Sequence, residues 1–251
     1  MFKKIILAFV IIITSSCTHK QQHLVKIEGT KIPVTQEIEG IKAIDSFIQP
    51  YKLKVEKEMN KVLTHTPISL DRKDGKLESS LGNLLADLSY QKANPIFNKR
   101  TGKNIDFALF NYGGIRAGIT KGEVTTENAF KLMPFENTLV VAELSADKIK
   151  ELVNYLIKAK RAHPLSKHIK LTLTGEDSYE LKINGEELDT NKTYYVLTSD
   201  YLFNGGDNMT FFSNPINLHK LDYKLRNAII DYFTEVDTLE TGLDERFIKA
   251  Y

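Results

Sequence analysis

Residues 111–119 read NYGGIRAGI and directly follow the apolar run FALF. An apolar run of this kind indicates a buried strand, so Gly113 and Gly114 stand where a strand ends. Glycine lets the backbone approach a ligand closely, and the neighbouring Asn111 amide and Arg116 guanidinium can bind an anionic group. A tight turn with a surface arginine has the same pattern, so the segment by itself leaves both interpretations open.

A second segment, YLFNGGDNM at residues 201–209, repeats this arrangement after the strand-like run TYYVLTS. It contains Asn204, Gly205 and Gly206 but ends in Asp207, so one loop carries a cation and the other a carboxylate. Arginine binds phosphate and aspartate accepts hydrogen bonds, so the two loops suit a ligand with an anionic part and a hydroxylated part. Asp207 is alternatively an ordinary turn residue.

Two aromatic residues stand beside these polar loops. Phe135 lies in LMPFENT, and Tyr201 precedes Asp207 by six residues. Aromatic rings stack on flat ligands, and each stacked base contributes roughly 1–3 kcal/mol. Considered singly, each ring is better explained as part of the core, because 10% of the chain is aromatic and most such residues fill space. Only the combination with the glycine loops predicts a clamp for a flat ring.

The motifs of several enzyme classes are missing. NYGGIRAG lacks the lysine and serine or threonine of a P-loop, and neither a spaced-glycine dinucleotide motif nor a G-x-S-x-G elbow is present. No histidine has a carboxylate neighbour at metal-ligand spacing. The six histidines are scattered: His19, His23, His65, His163, His168 and His219. We therefore expect no catalytic residue, no metal site and no cofactor in this chain.

Hydrophobic periodicity predicts a mixture of helices and strands. A buried helical stripe begins near Glu37 and runs on to Val62, with a second helix from Pro50 that continues the first or is kinked against it. Further helices are predicted at 80–90, 125–133, 146–160 and 224–233, and strands at 105–110, 137–144, 168–174, 178–185 and 193–199. Because helices and strands do not alternate strictly, the pattern favours an α+β domain over a doubly wound parallel sheet.

The N-terminus resembles a bacterial lipoprotein signal. Two lysines precede the apolar run IILAFVIII, and the only cysteine of the chain, Cys17, follows at the position of processing, although Thr14 replaces the usual leucine. We predict a signal peptide at 1–16, a lipidated Cys17 with a tether at 17–36, a domain at 37–251, and attachment to a membrane of the bacterial cell envelope, on its periplasmic or outer-membrane surface face. An uncleaved anchor with an incidental cysteine is the alternative.

The overall charge does not indicate a nucleic-acid partner. The chain has 34 basic and 32 acidic residues, and cleavage of the signal would remove two lysines and leave 32 of each. At 251 residues and 42% hydrophobic content, the chain is long enough to bury one large core.

Four motifs in order, ESSLGNLLAD, NYGGIR, MPF and YLFNGGD, resemble the C-terminal, substrate-binding domain of bacterial and animal 5'-nucleotidases. In that family this mixed α/β domain holds the nucleotide, and a preceding metallophosphatase domain binds two metal ions and hydrolyses it. The resemblance runs from about Ile38 to the C-terminus. It departs from the family at Tyr112, which replaces a glycine, and at Leu77, where some members carry an arginine beside the residue matching Glu78.

The resemblance implies roles for the residues in these motifs. Asn111 and Arg116 would lie on the phosphate and ribose side of the ligand, and Asp207 would bind the ribose hydroxyls. Phe135 and Tyr201 would stack on the two faces of the base. Gly113, Gly114, Gly205 and Gly206 would let the backbone approach the ligand, and Asn204 is the remaining predicted substrate-binding residue.

Only about twenty residues lie between the predicted signal and the first predicted helix, too few for a metallophosphatase domain. The leading hypothesis is therefore a nucleotide-binding subunit of a split 5'-nucleotidase that works with a separate metallophosphatase polypeptide, which would supply the divalent metals. The alternatives are a non-catalytic envelope lipoprotein that binds a nucleotide or nucleoside, and a structural module that has lost ligand binding.

Overall fold

The computed structural model describes residues 23–35, 38–176 and 178–251. The chain divides into two units, one ending at Ile48 and the other spanning Gln49–Tyr251. Residues 23–35 are exposed and form neither helix nor strand. The predicted signal peptide and Cys17 lie outside the described residues and stay predictions. Within the described ranges, no helix combines the length and apolarity needed to cross a membrane.

The described residues contain both helices and strands, distributed as follows. The helices are Lys42–Met59 (α1), Ser80–Thr101 (α2), Thr126–Leu132 (α3), Ala146–Ala159 (α4), Asp200–Phe203 (α5) and Leu225–Glu235 (α6). The strands are Val62–Thr66 (β1), Phe107–Ala108 (β2), Gly122–Thr125 (β3), Thr138–Ser145 (β4), Ile169–Leu173 (β5), Tyr179–Ile183 (β6), Glu186–Glu187 (β7), Thr193–Ser199 (β8), Asn217–Lys224 (β9) and Phe247–Lys249 (β10).

The strands form two four-stranded mixed sheets and one antiparallel pair. The central sheet has the order β2-β8-β4-β9, in which β2 is parallel to β8 and the other neighbours are antiparallel. The second sheet has the order β10-β5-β6-β7, with β10 parallel to β5. Mixed sheets packed with helices confirm the predicted α+β fold.

The helix caps follow the sequence pattern. Ser79 and Ser145 precede α2 and α4, and their hydroxyls accept hydrogen bonds from the backbone amides of Gly82 and Lys148. These bonds satisfy amides that have no partner inside the helix. The predicted leucine stripe of α2 is fully buried. The helix α5 and the strands β1, β3, β7, β9 and β10 had not been predicted.

The prediction for the first helical stripe is wrong in three respects: its start, its burial and its end. The helix α1 begins at Lys42 rather than near Glu37 and has no buried residue. It continues through Pro50, which keeps a helical φ but removes one amide donor and crowds the carbonyl four residues earlier. The stripe does not reach Val62, because that residue pairs with Thr125 of β3 and the strand ladder replaces the helix.

Candidate functional site

The central sheet explains why three separate segments meet. Because β2 and β8 are parallel, the loops that follow them leave the sheet at the same edge. Strand β4 is antiparallel to β8 and pairs Leu139 with Ser199, so the segment that enters β4 lies at that edge too. The first glycine loop (residues 111–116), the segment 133–137 and the second glycine loop (residues 204–208) are therefore brought together.

The first glycine loop is held by side chains from distant parts of the chain. Its residues Tyr112–Gly114 form a 3-10 turn. The Arg72 Nη1 group donates hydrogen bonds to the carbonyl oxygens of Tyr112, at 3.2 Å, and Ile115, at 2.5 Å. The backbone amide of Tyr112 donates to His163 Nδ1 at 3.2 Å. Three backbone groups of this loop are thus bonded to side chains 40 or more residues away in sequence.

Gly114 leaves room for the Asn111 side chain. A Cβ atom at Gly114 would lie 2.7 Å from Asn111 Oδ1, closer than two such atoms can approach. Asn111 is buried and its Nδ2 group donates to Asp207 Oδ2 at 2.7 Å, which joins the two glycine loops directly. Glycine is needed at position 114 because the Asn111 side chain occupies the space that a Cβ atom would take.

The second glycine loop is held mainly by its own backbone conformation. Three of its residues have positive φ: Gly205 at 90°, Asp207 at 52° and Asn208 at 58°. Left-handed conformations are accessible to glycine and tolerated by asparagine and aspartate. A Cβ atom at Gly206 would lie 2.5 Å from Tyr201 Cε1 and 2.6 Å from the Tyr201 carbonyl oxygen. Gly206 therefore lets the loop fold back under the Tyr201 ring.

The Asp207 carboxylate is the polar centre of this edge. Its Oδ1 accepts a hydrogen bond from the Tyr201 hydroxyl at 3.0 Å, while Oδ2 accepts from Asn111. The hydrogen bond to this carboxylate raises the pKa of Tyr201, so the phenol stays protonated and remains a donor. The Asp207 backbone carbonyl accepts a further bond from the Tyr155 hydroxyl at 2.9 Å.

The segment that carries Phe135 is held by Arg226, a buried residue in the first turn of α6. Its Nη1 group donates to the carbonyl oxygens of Met133, at 3.4 Å, and Phe135, at 3.3 Å, and its guanidinium pairs with Glu136. The guanidinium carbon lies 4.4 Å from the centre of the Phe130 ring. Lys224 and Arg226 lower the pKa of Glu136, so this carboxyl stays ionised and keeps the pair.

These segments enclose a cavity of about 270 Å³, near the lower end of the range of roughly 300–1,000 Å³ that is typical of small-molecule sites. It is lined by Asn111, Gly113, Gly114, Arg116, Phe135, Asn137, Tyr201 and Asp207. Seven of these were predicted from the sequence, and Asn137 was missed. Three predicted residues, Asn204, Gly205 and Gly206, shape the second loop without lining the cavity.

Both predicted clamp residues line this cavity with their rings accessible. Phe135 is 41% exposed and Tyr201 is 45% exposed, which is unusual for residues of this size. The Arg116 guanidinium carbon lies 5.9 Å from the Phe135 ring centre. The hydrogen bond from Arg116 to the Gly113 carbonyl oxygen is long at 3.4 Å, so most of the exposed guanidinium head is available to an anion.

A larger cavity of about 750 Å³ lies elsewhere in Gln49–Tyr251, beside α4, β5 and β10. Its lining includes Lys76, Glu78 and Lys160, but no residue of either glycine loop. Glu78 accepts hydrogen bonds from Asn83 and from the backbone amides of Asp244 and Glu245, which accounts for its burial. We therefore place the candidate site at the smaller cavity, where exposed aromatic rings and charged groups converge.

No local sequence pattern predicted the residues that hold the glycine loops and the Phe135 segment. Arg72, Tyr155, His163 and Arg226 all bond to backbone groups of these segments, yet none was a predicted site residue. His163 had been noted only as one of six scattered histidines. The Tyr112 side chain does not line the cavity, and its ring centre lies 4.5 Å from the Arg72 guanidinium carbon.

No group of three or more histidine, cysteine, aspartate or glutamate side chains within 23–35, 38–176 and 178–251 is arranged to hold a metal ion. The candidate site can thus bind through hydrogen bonds, stacking and one guanidinium. These described residues do not fit the metal pair that the family resemblance implies for hydrolysis.

Comparison with known proteins identifies relatives of the part of the chain that contains this cavity. The sequence model of the family described as 5'-nucleotidase, C-terminal domain, matches residues 61–214, a range that contains both glycine loops and Phe135. The trifunctional nucleotide phosphoesterase protein YfkN of Bacillus subtilis is 30% identical over 223 residues, covering 81% of this chain and 14% of that protein. Protein UshA of Escherichia coli is 25% identical over 222 residues, covering 84% and 38%.

A solved structure is similar over most of the chain. The crystal structure of a 5'-nucleotidase precursor from Thermus thermophilus superposes with a TM-score of 0.66 at 25% identity, covering 83% of this chain and 42% of that one. The chain spans less than half the length of these three relatives. Because the family model matches well over half of the residues, the chain belongs to the family of 5'-nucleotidase C-terminal domains.

Proposed function

We propose that the cavity between the two glycine loops binds a nucleotide, as the substrate-binding component of a 5'-nucleotidase-type hydrolase. The observation that carries the proposal is the convergence of two exposed aromatic rings, a carboxylate and an exposed guanidinium on one cavity. Phe135 and Tyr201 would stack on the base, Asp207 would accept hydrogen bonds from the ribose hydroxyls, and Arg116 would bind the phosphate.

A titration with adenosine and AMP tests these roles. Arg116→Ala is expected to weaken AMP binding about tenfold while adenosine binding stays unchanged, because only AMP offers a phosphate to the guanidinium. Lys121→Ala is the matched control, since this exposed cation lies five residues further along the chain and does not line the cavity. Equal losses for both ligands would place Arg116 away from the phosphate.

Replacement of the two rings tests the clamp. Phe135→Ala and Tyr201→Ala are each expected to weaken adenosine binding about tenfold through loss of stacking, and Tyr201→Phe should lose less because it keeps the ring. Unchanged affinity in both alanine variants would favour a structural module without ligand binding.

For hydrolysis, we propose that a separate metallophosphatase polypeptide supplies the divalent metals, which would activate a water molecule for attack on the phosphate held by Arg116. The described residues offer no metal-binding cluster, which motivates this assignment. Mixing the chain with a metallophosphatase that lacks such a domain should produce metal-dependent phosphate release from AMP that neither protein gives alone. Release by this chain alone would contradict the split arrangement.

A nucleotide-capture lipoprotein is the competing proposal, and affinity separates the two. Half of a split site binds AMP weakly until its partner and metals are present. A capture protein binds tightly by itself and gains nothing from a metallophosphatase. In both cases Cys17 would carry the lipid that attaches the chain to the cell envelope, and Cys17→Ser should abolish incorporation of a labelled fatty acid.

A further inference from the structure

The two glycine loops are joined at the back of the cavity by one short segment. Tyr155 lies on α4, and His163 follows that helix by a few residues. The Tyr155 hydroxyl donates to the Asp207 carbonyl oxygen at 2.9 Å, and His163 Nδ1 accepts from the Tyr112 amide at 3.2 Å. Their ring centres are 5.6 Å apart, so the residue pair contacts the backbone of both loops at once.

These contacts add to the hydrogen bond between two residues of the cavity lining. Asn111 donates to Asp207 at 2.7 Å, while the Tyr155–His163 pair bonds to the backbone of Asp207 and of Tyr112, the neighbour of Asn111. The Tyr155 ring also packs edge-on against buried Phe211, with ring centres 5.5 Å apart, which anchors the pair in the core. The spacing between the loops therefore depends on the Asn111–Asp207 bond and on two residues that do not line the cavity.

The protonation states suit these bonds. Burial lowers the pKa of His163 to about 4, so the imidazole is neutral at pH 7 and Nδ1 can accept a hydrogen bond. The charged groups that act on this ring are Asp207, which opposes the shift, and Arg161, which adds to it. Burial also raises the pKa of Tyr155, so its hydroxyl keeps the proton that it donates.

We propose that Tyr155 and His163 are positioning residues that hold the two loops at the spacing the nucleotide requires. This inference rests on the proposed function, because it assigns the loops to one ligand. The pair acts through the backbone of Tyr112 and Asp207 and does not touch the ligand. Its removal should thus weaken binding of the nucleoside part as well as of the phosphate.

Paired variants separate this role from general stability. His163→Leu removes the acceptor, whereas His163→Asn keeps one near the position of Nδ1, and Tyr155→Phe removes only the hydroxyl. The matched controls come from the similar pair Tyr90 and His168, whose rings stack 3.7 Å apart outside the cavity. Tyr90→Phe likewise removes a hydroxyl that donates to a backbone carbonyl, that of Ile105.

The experiment combines adenosine titration with hydrogen exchange at the Tyr112 amide. His163→Leu and Tyr155→Phe are expected to weaken adenosine binding about tenfold, and His163→Leu should speed exchange of the Tyr112 amide at least about tenfold. His163→Asn should return both values toward wild type, and Tyr90→Phe and His168→Leu should change neither. Thermal unfolding of each variant identifies any that fails to fold, and Tyr155→Phe is the mildest change.

Two results would overturn the inference. Wild-type adenosine affinity in both Tyr155→Phe and His163→Leu would show that the pair does not position the loops. Weaker binding in His163→Leu with an unchanged Tyr112 exchange rate would assign the loss to general destabilisation. A wild-type protein that binds neither adenosine nor AMP would instead remove the proposed function, while the exchange data would still show whether His163 holds the loop.

Discussion

The two glycine loops look alike in sequence and are held by different forces. The first, residues 111–116, is fixed by hydrogen bonds from Arg72 and His163, which come from distant parts of the chain. The second, residues 204–208, combines three left-handed backbone conformations of its own with hydrogen bonds from Asn111 and Tyr155 to Asp207. Loss of Arg72 or His163 should therefore loosen the first loop, while the second should be disturbed most by changes within it.

Acid should act selectively on the first loop, and this is the largest effect we expect. His163 has a pKa of about 4 in the folded chain and about 6.5 when unfolded, so the unfolded state binds an extra proton between these values. Stability is thus lost as the pH falls from about 6.5 to about 4, by up to about 3 kcal/mol. Denaturant unfolding measures the free energy of unfolding across this pH range, and His163→Asn should lack the loss that His163 causes. Identical slopes of the free energy of unfolding against pH in wild type and His163→Asn would contradict the prediction.

Gly206→Ala should be the most damaging single substitution in the second loop. The new Cβ would meet both the ring and the backbone carbonyl of Tyr201, so the backbone itself has to move. We expect about a hundredfold weaker binding of adenosine. Gly242→Ala is the control, because nothing lies within 4 Å of a Cβ at Gly242. An affinity within twofold of wild type would mean that the second loop adapts easily.

Arg72→Met should separate the two loops most clearly. The variant keeps an apolar stem but loses the bonds to the carbonyls of Tyr112 and Ile115, at a cost of about 2 kcal/mol in the free energy of unfolding. Hydrogen exchange should rise at residues 111–116 and stay constant at residues 204–208. Equal increases in both loops would show that they move as one unit.

Gly114→Ala should have the smallest of these effects. Its Cβ would meet only the end of the Asn111 side chain, which can rotate away but then loses its bond to Asp207. We expect about tenfold weaker adenosine binding, with little change in the unfolding temperature. A loss as large as that of Gly206→Ala would remove the distinction between the two loops.

Local patterns accounted for much of the fold and of the cavity. Runs such as NTLVVAEL and the leucine stripe of α2 predicted elements correctly because both are apolar segments that lie in the core. The glycine loops, Phe135 and Tyr201 were recognisable because their residue types are costly or unusual unless a ligand or a special conformation uses them. The apolar stripe of α1 shows the limit of such patterns. Periodicity indicates a helix, but it does not indicate whether another part of the protein packs against the apolar face.

By itself, the sequence determined the α+β class, the two glycine loops and seven of the residues that line the cavity. Only the tertiary structure decided that parallel β2 and β8 place both loops at one edge, where Arg72, Tyr155 and His163 hold the loops and Arg226 holds the Phe135 segment. The physical reason is the separation in sequence between the groups that are in contact. Caps, turns and strands depend on neighbours a few residues apart, whereas these side chains reach backbone groups 40 to 93 residues away, which no local pattern encodes.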